Sequence, residues 1–267
     1  MTTRKQRQVF GEVADAYDEV RPGYPAEIAG RIGAYLGHPP ARIVESGAGT
    51  GKGTAVLRTF AAPLTCVEPD PAMAAVLRRR FAGDALVEVF LGSFEDWTPP
   101  PDGVDLLASA QAWHWVDPAR RNQLAYDALA PGGALAIFGN HYGFAEGLFL
   151  DEMDAIYDEI APEIADPPDK RVDRSRAFHH NEIAESGLFA DVETQYLETV
   201  VHFDTQRYLT LLSTFSPHRM LPEEKRAPLH AALADLIDRH GGVLEQQITT
   251  GLWLARKPGG RPSVAGQ

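Results

Sequence analysis

Residues 44–54 read VESGAGTGKGT, a glycine-rich stretch that follows a short apolar run and precedes a helical pattern. A strand that turns sharply through glycines into a helix is the opening βα unit of a doubly wound sheet. Glycine at such a turn also lets backbone and ligand come close at the start of the helix. The register of the glycines separates the ligands such a loop can serve. A phosphate-binding loop needs Gly, four residues, then Gly-Lys-Ser/Thr, so that lysine meets phosphate and the hydroxyl meets magnesium. Anchored on Gly51-Lys52, this chain has Ser46 at the first position and Gly53 after the lysine, and the pattern fails twice. A dinucleotide fingerprint needs G-x-G-x-x-G/A, and its two registers place Lys52 or Thr54 where a small residue must pack. What remains is an acid followed by alternating glycines: Glu45, Gly47, Gly49, Gly51.

Outward from this loop, short β-rich runs alternate with helical patterns, the signature of a parallel sheet covered by helices. Strands are expected at 41–46, 64–69, 86–92, 104–109 and 133–139. Helices are expected at 71–81, where Pro71 suits a first turn, and at 118–129, closed by Pro131-Gly132-Gly133. After Asn140 the rhythm breaks into an insertion with a helix at 148–160. A strand at 189–203, a helix at 222–240 ended by Gly241-Gly242, and a strand at 246–257 complete seven strands. The expected organisation is N-terminal helices over 1–40, a ligand-binding core over 41–140, a helical insertion over 141–188, the last strands and helix of the core over 189–257, and a disordered tail over 258–267.

The chain of 267 residues carries 25 Lys and Arg against 37 Asp and Glu, a formal net charge of -12. That is the wrong sign for a partner of phosphate backbones, so no nucleic acid is expected. A single cysteine, Cys66, excludes an intrachain disulfide and suits a reducing compartment. No apolar run approaches the roughly 20 residues of a membrane helix, and no signal-peptide core follows Arg4, Lys5 and Arg7. These features point to a cytoplasmic protein without a membrane partner, monomeric or homodimeric.

Four further motifs accompany the glycine loop: CVEPDPAM (66–73), LGSFEDW (91–97), SAQAWHWVDP (109–118) and ADAYDEVRPGYP (14–25). Through them the chain resembles the class I S-adenosylmethionine-dependent methyltransferases, and the last two are similar to the trans-aconitate-methyltransferase-like branch that acts on small molecules. The resemblance implies a Rossmann-like α/β fold, a seven-stranded mostly parallel sheet with helices on both faces, and a helical lid formed by the insertion and the N-terminal helices. It implies that Gly47, Ala48, Gly49 and Gly51 turn beneath the methionine part of the cofactor and that Glu45 orients its ammonium group. Glu68, followed by Pro69, would accept hydrogen bonds from both ribose hydroxyls, and a vicinal diol does present two donors that one carboxylate can accept. Ser93 and Phe94 stand where the family contacts adenine. Since many relatives carry Asp in place of Ser93, that contact falls to the hydroxyl, the backbone or Glu95. Ala110 and Gln111 would line the cofactor at the end of the fourth strand, with Tyr17, Arg21 and Tyr24 over it.

Methyl transfer from a sulfonium is an in-line displacement in which alignment supplies much of the acceleration. A carboxylate acceptor needs no base, whereas a hydroxyl or amine benefits from one. His114 is the candidate base, since it follows the fourth strand at the carboxyl edge of the sheet, between Trp113 and Trp115, which would flank a small organic substrate. His141 and Arg219 are further substrate candidates; Arg219 could hold an acidic group through a bidentate contact, and His218 shares its segment STFSPHRM (213–220). No DPPY-like or NPPY-like run, Pro-Cys pair or glutamate pair follows the fourth strand, and Asp105 and Asp117 make no cluster of oxygen ligands, so no metal is expected. The expected activity is O-methylation of a small-molecule carboxylate or hydroxyl. The alternatives are a cyclisation or rearrangement using the same cofactor, and a nucleic-acid methyltransferase.

Overall fold

The computed structural model describes residues 14–165 and 178–259. Its seven strands are β1 (Ile43–Ser46), β2 (Leu64–Glu68), β3 (Val87–Leu91), β4 (Val104–Ala110), β5 (Leu129–Gly143), β6 (Ala190–Asp204) and β7 (Val243–Arg256). They form one sheet in the order β3-β2-β1-β4-β5-β7-β6. β1 pairs in parallel with β2 and β4, β2 with β3, and β4 with β5, which places the glycine loop and the turn after β4 at the same carboxyl edge. β1 is buried along its whole length, as a parallel strand covered on both faces must be. The Rossmann-like seven-stranded fold is therefore as expected.

The first five helices are α1 (Ala14–Val20), α2 (Glu27–Leu36), α3 (Lys52–Leu57), α4 (Pro71–Arg80) and α5 (Arg121–Ala128). α4 begins as its sequence predicts: Pro71 opens the first turn and the Asp70 carboxylate accepts from the amides of Ala72 at 2.8 Å and Met73 at 3.1 Å. Loss of such a cap costs about 1 kcal/mol. Asp70→Ala should therefore lower the thermal midpoint by about 2–4 °C, read by circular dichroism; an unchanged midpoint would refute the cap's contribution.

The remaining helices are α6 (Leu148–Ile160), α7 (Phe178–Glu185), α8 (Thr205–Ser213), α9 (Ser216–Met220) and α10 (Glu223–Arg239). Two expectations are corrected here. The helix expected to run to 129 stops at Ala128, and Pro131-Gly132-Gly133 lies inside β5, where the pairing with β4 jumps from Val104↔Leu129 to Leu106↔Ala134. The irregular stretch is clasped by Lys257: its backbone exchanges bonds with Gly132 and Gly133, and its ammonium donates to the carbonyls of Tyr126 and Leu129. α8 was not anticipated at all, although the Asp204 carboxylate caps it by accepting from the Arg207 amide at 2.8 Å.

The chain divides into two compact units. Among the described residues one comprises 24–139, 178–196 and 251–259; its core includes Val44, Val67, Leu107, Leu135, Ile137 and Trp253. The other comprises 14–23, 140–165 and 197–250, with a core that includes Phe203, Tyr208, Leu211, Leu229, Leu233 and Leu236. The chain changes unit inside β5, β6 and β7. β5, β6 and β7 are 15, 15 and 14 residues long against 4 to 7 for the first four strands, so one strand serves two units and no linker composition marks the boundary. Residues 1–13 of the expected lid and 260–267 of the expected tail lie outside the described residues. Among the described residues no helix is long and apolar enough to cross a membrane.

Candidate functional site

The loop after β1 spends its amides within the protein. Those of Gly47 and Ala48 both donate to the Val67 carbonyl, that of Gly49 to the Glu68 carboxylate at 2.7 Å, and that of Gly51 to the Ala48 carbonyl. A phosphate nest needs such amides turned outward, so the geometry agrees with the register of the glycines in disfavouring a phosphate ligand. Gly47 has φ 70, and a Cβ there would meet the Ala112 Cβ at 2.4 Å, so only glycine lets this loop touch the segment after β4. Gly49 has φ 57, and a Cβ built on it meets nothing within 4 Å; its bare backbone faces open space.

Glu68 ends β2 and is 6 % exposed. One carboxylate oxygen accepts from the Gly49 amide and the other from the Asp70 amide at 2.8 Å. Each oxygen thus keeps a lone pair for one more donor, which is what a vicinal diol requires. Burial raises the Glu68 pKa to about 7, against the opposing effect of its two amide bonds. Glu45 is fully enclosed instead. Its Oε2 accepts from the Thr54 hydroxyl at 2.5 Å, while Oε1 has no hydrogen-bond partner among the described residues. Burial pushes its pKa up to about 8, so this carboxyl is largely protonated at neutral pH.

Beyond β3, Ser93 donates to the Asp96 carboxylate at 2.6 Å, and Glu95 accepts from the Asp117 amide at 3.0 Å. The acid missing at position 93 is thus present three residues on, which the sequence reading overlooked. Phe94 is 5 % exposed and stacks on Trp97, with ring centroids 6.0 Å apart, so it belongs to the core. Pro69 links Glu68 to the cap of α4, and Tyr24 stands edge-on to Phe138 at 4.8 Å.

β4 ends at Ala110, Gln111 takes φ 57, and Trp113–Trp115 form a single 3-10 turn. The sequence predicts both tryptophans beside the substrate. Trp113 is instead 1 % exposed and packed in the core, which leaves His114 and Trp115 as the residues of the turn with open surface. His114 lies 4.5 Å from Trp115, centroid to centroid. Desolvation on the covered side of the ring, with the Arg121 charge as a further cause, pushes its pKa down to about 4, although the residue keeps open surface. It is neutral at pH 7 and a weak base.

Tyr17, Arg21, His141 and Arg219 belong to the other unit. There the Arg21 guanidinium lies 4.1 Å from the centroid of Phe215, 4.9 Å from Tyr17 and 5.9 Å from Tyr142, and donates to the hydroxyl and carbonyl of Thr214. These partners are all neutral. His218, 5 % exposed, bridges the Tyr157 hydroxyl at 3.1 Å and His230 at 3.3 Å, while His141 and Arg219 are half-buried. No group of three or more His, Cys, Asp or Glu among the described residues could hold a metal ion.

Comparison with known proteins follows the same lines. Residues 44–137 match the family model described as a methyltransferase domain. An uncharacterized methyltransferase of Mycobacterium tuberculosis is 38% identical over 131 residues, which cover 49% of this chain and 51% of that protein. The chain thus aligns with about half the length of this relative. An uncharacterized methyltransferase of Schizosaccharomyces pombe is 25% identical over 85% of each chain. Among solved structures, a putative type II methyltransferase from Anaeromyxobacter dehalogenans superposes with a TM-score of 0.63 at 22% identity, covering 90% of this chain and 99% of that one. The phosphoethanolamine N-methyltransferase 2 of Haemonchus contortus, solved in complex with S-adenosyl-L-methionine, gives 0.58 at 17% identity, covering 96% and 61%. These structural likenesses show the shared fold.

Proposed function

We propose that the protein is a class I S-adenosylmethionine-dependent methyltransferase and that it transfers a methyl group from S-adenosylmethionine to an oxygen of a small-molecule acceptor, a carboxylate in preference to a hydroxyl. The observation that carries the cofactor assignment is Glu68, whose two oxygens each hold one amide and keep one lone pair for a ribose hydroxyl. The bare backbone at Gly49 supports it, because a ligand can approach there without meeting a side chain.

When bound, the cofactor supplies an electrophilic methyl on a positively charged sulfur. The protein's share is alignment and exclusion of water. His114 is a proton acceptor of low strength, since an imidazole with a pKa of about 4 is poorly matched to removing a proton at neutral pH. That weakness favours an acceptor that is already an anion. The similarity to the trans-aconitate-methyltransferase-like branch leads the same way. The proposal includes a cytoplasmic setting and no nucleic-acid partner.

The test is a panel of small carboxylates and phenols incubated with S-adenosylmethionine, following S-adenosylhomocysteine. At saturating S-adenosylmethionine, methyl esters should form at a rate nearly independent of pH between 6 and 8, because a carboxylate acceptor is ionised throughout that range. Turnover of phenols alone would overturn the carboxylate preference. Consumption of the donor without S-adenosylhomocysteine would overturn methyl transfer in favour of a rearrangement or cyclisation.

A further inference from the structure

The turn after β4 is held in place from outside itself. Gln111 adopts a left-handed backbone that non-glycine residues seldom use, and Trp113 buries an indole N–H that meets no acceptor among the described residues. Features of this kind persist only where the surroundings over-determine them. The turn's own backbone contributes two bonds, from the Trp115 amide to the Ala112 carbonyl at 2.9 Å and from the Val116 amide to the Trp113 carbonyl at 3.3 Å, the second of them long.

The ends of the segment are tied by the Gln111 amide to the Phe138 carbonyl and by the Asp117 amide to Glu95, and its middle is held by Arg121, which is 4 % exposed. Its Nη1 donates to the Trp113 carbonyl at 3.1 Å, and its guanidinium carbon lies 5.9 Å from the Trp113 ring centroid. Its Nε and Nη2 donate to the two oxygens of Glu182 on α7, at 2.6 and 2.5 Å. Asn122 adds a donor to the same carboxylate at 3.3 Å. An arginine fork can address a carboxylate and a carbonyl at once in fixed directions; a lysine ammonium cannot reproduce that geometry. A pair serving charge balance alone would not need its third donor aimed at the carbonyl of the turn.

We propose that Arg121 and Glu182 are positioning residues that hold the Trp113–Trp115 turn, so that the docking of α7 fixes how His114 and Trp115 meet the acceptor. The acceptor part of this assignment rests on the function proposed above; the part concerning the turn stands on the geometry alone.

Breaking one partner of a buried pair leaves an unpaired charge and can unfold a protein, whereas replacing both by apolar residues avoids that. The variants are therefore Arg121→Lys, which keeps the charge and loses the fork, and the double change Arg121→Met with Glu182→Leu. Amide hydrogen exchange on the full chain should quicken about tenfold or more at Trp115 and Val116 in both, with β1 and β2 unchanged. Unaltered protection of the turn, or a uniform rise across the whole chain, would overturn the positioning role. For a carboxylate turned over in the panel, KM should rise about tenfold while the affinity for S-adenosylhomocysteine stays within about twofold. An unchanged KM in the double variant would overturn the link to the acceptor. Should no carboxylate be turned over, the proposed function fails and the link to the acceptor with it, while the exchange measurement still decides the positioning of the turn.

Discussion

S-adenosylmethionine should bind the Glu68→Ala protein at least about 100-fold more weakly than the parent, as measured by isothermal titration calorimetry. A hydrogen bond to a charged group contributes about 1.5–3 kcal/mol. Two such bonds from a ribose diol therefore amount to at least about 3 kcal/mol, or two orders of magnitude in affinity. The alanine also releases the amides of Gly49 and Asp70, which Glu68 now holds, so the loop loses its anchor together with the ligand contact. Glu68→Gln separates the two effects. One oxygen still accepts, but the amide NH2 faces a backbone N–H, and the loss should be nearly as large with the fold intact by circular dichroism. Undiminished binding in both variants would remove Glu68 from the cofactor site.

Stability should fall as pH rises through the neutral range, and Glu45→Gln should abolish much of that fall. In the folded protein the Glu45 carboxyl has a pKa of about 8, against 4.5 as its ordinary value. Between these two values the folded state binds a proton that the unfolded state has lost. Stability contributed by this group is therefore complete below about pH 4.5 and declines by up to about 1.4 kcal/mol per pH unit until it levels off above about pH 8. The full loss is on the order of a few kcal/mol. Glutamine does not titrate, and its oxygen can still accept from Thr54. Urea unfolding at pH 5.5, 7.0 and 8.5 measures both slopes. Glu68, with a pKa of about 7, adds a slope of the same sign that the variant retains. Parallel curves for parent and variant would mean that Glu45 is ionised in the folded protein.

What the chain discloses before folding is what its neighbours in sequence decide. The glycine loop is legible because register alone rejects two ligand types, and Glu68 is legible because it closes the next strand. The exchange of strand for helix end at Pro131-Gly132-Gly133 is not legible, because the Lys257 ammonium that clasps this stretch sits 128 residues from Leu129. Nor does the string Trp113-His114-Trp115 say which indole turns inward; that depends on the core behind it and on a carboxylate 61 residues beyond Arg121. Asp96 could have been found, being three residues from Ser93, where a hydroxyl reaches it directly. Arg121 could not, since an arginine at the start of a helix ordinarily points to solvent.

The order of the strands also bears on synthesis. β7 is the last of the seven in sequence, yet it lies between β5 and β6 in the sheet. At a ribosomal pace of about 5–20 residues per second, both flanking strands leave the exit tunnel seconds before their shared neighbour does. β6 has no neighbour in the sheet other than β7, so neither β6 nor the outer edge of β5 can pair until β7 is made. Until then both strands keep unpaired backbone donors and acceptors open to any passing strand, so the nascent chain is most exposed to mispairing just before β7 arrives.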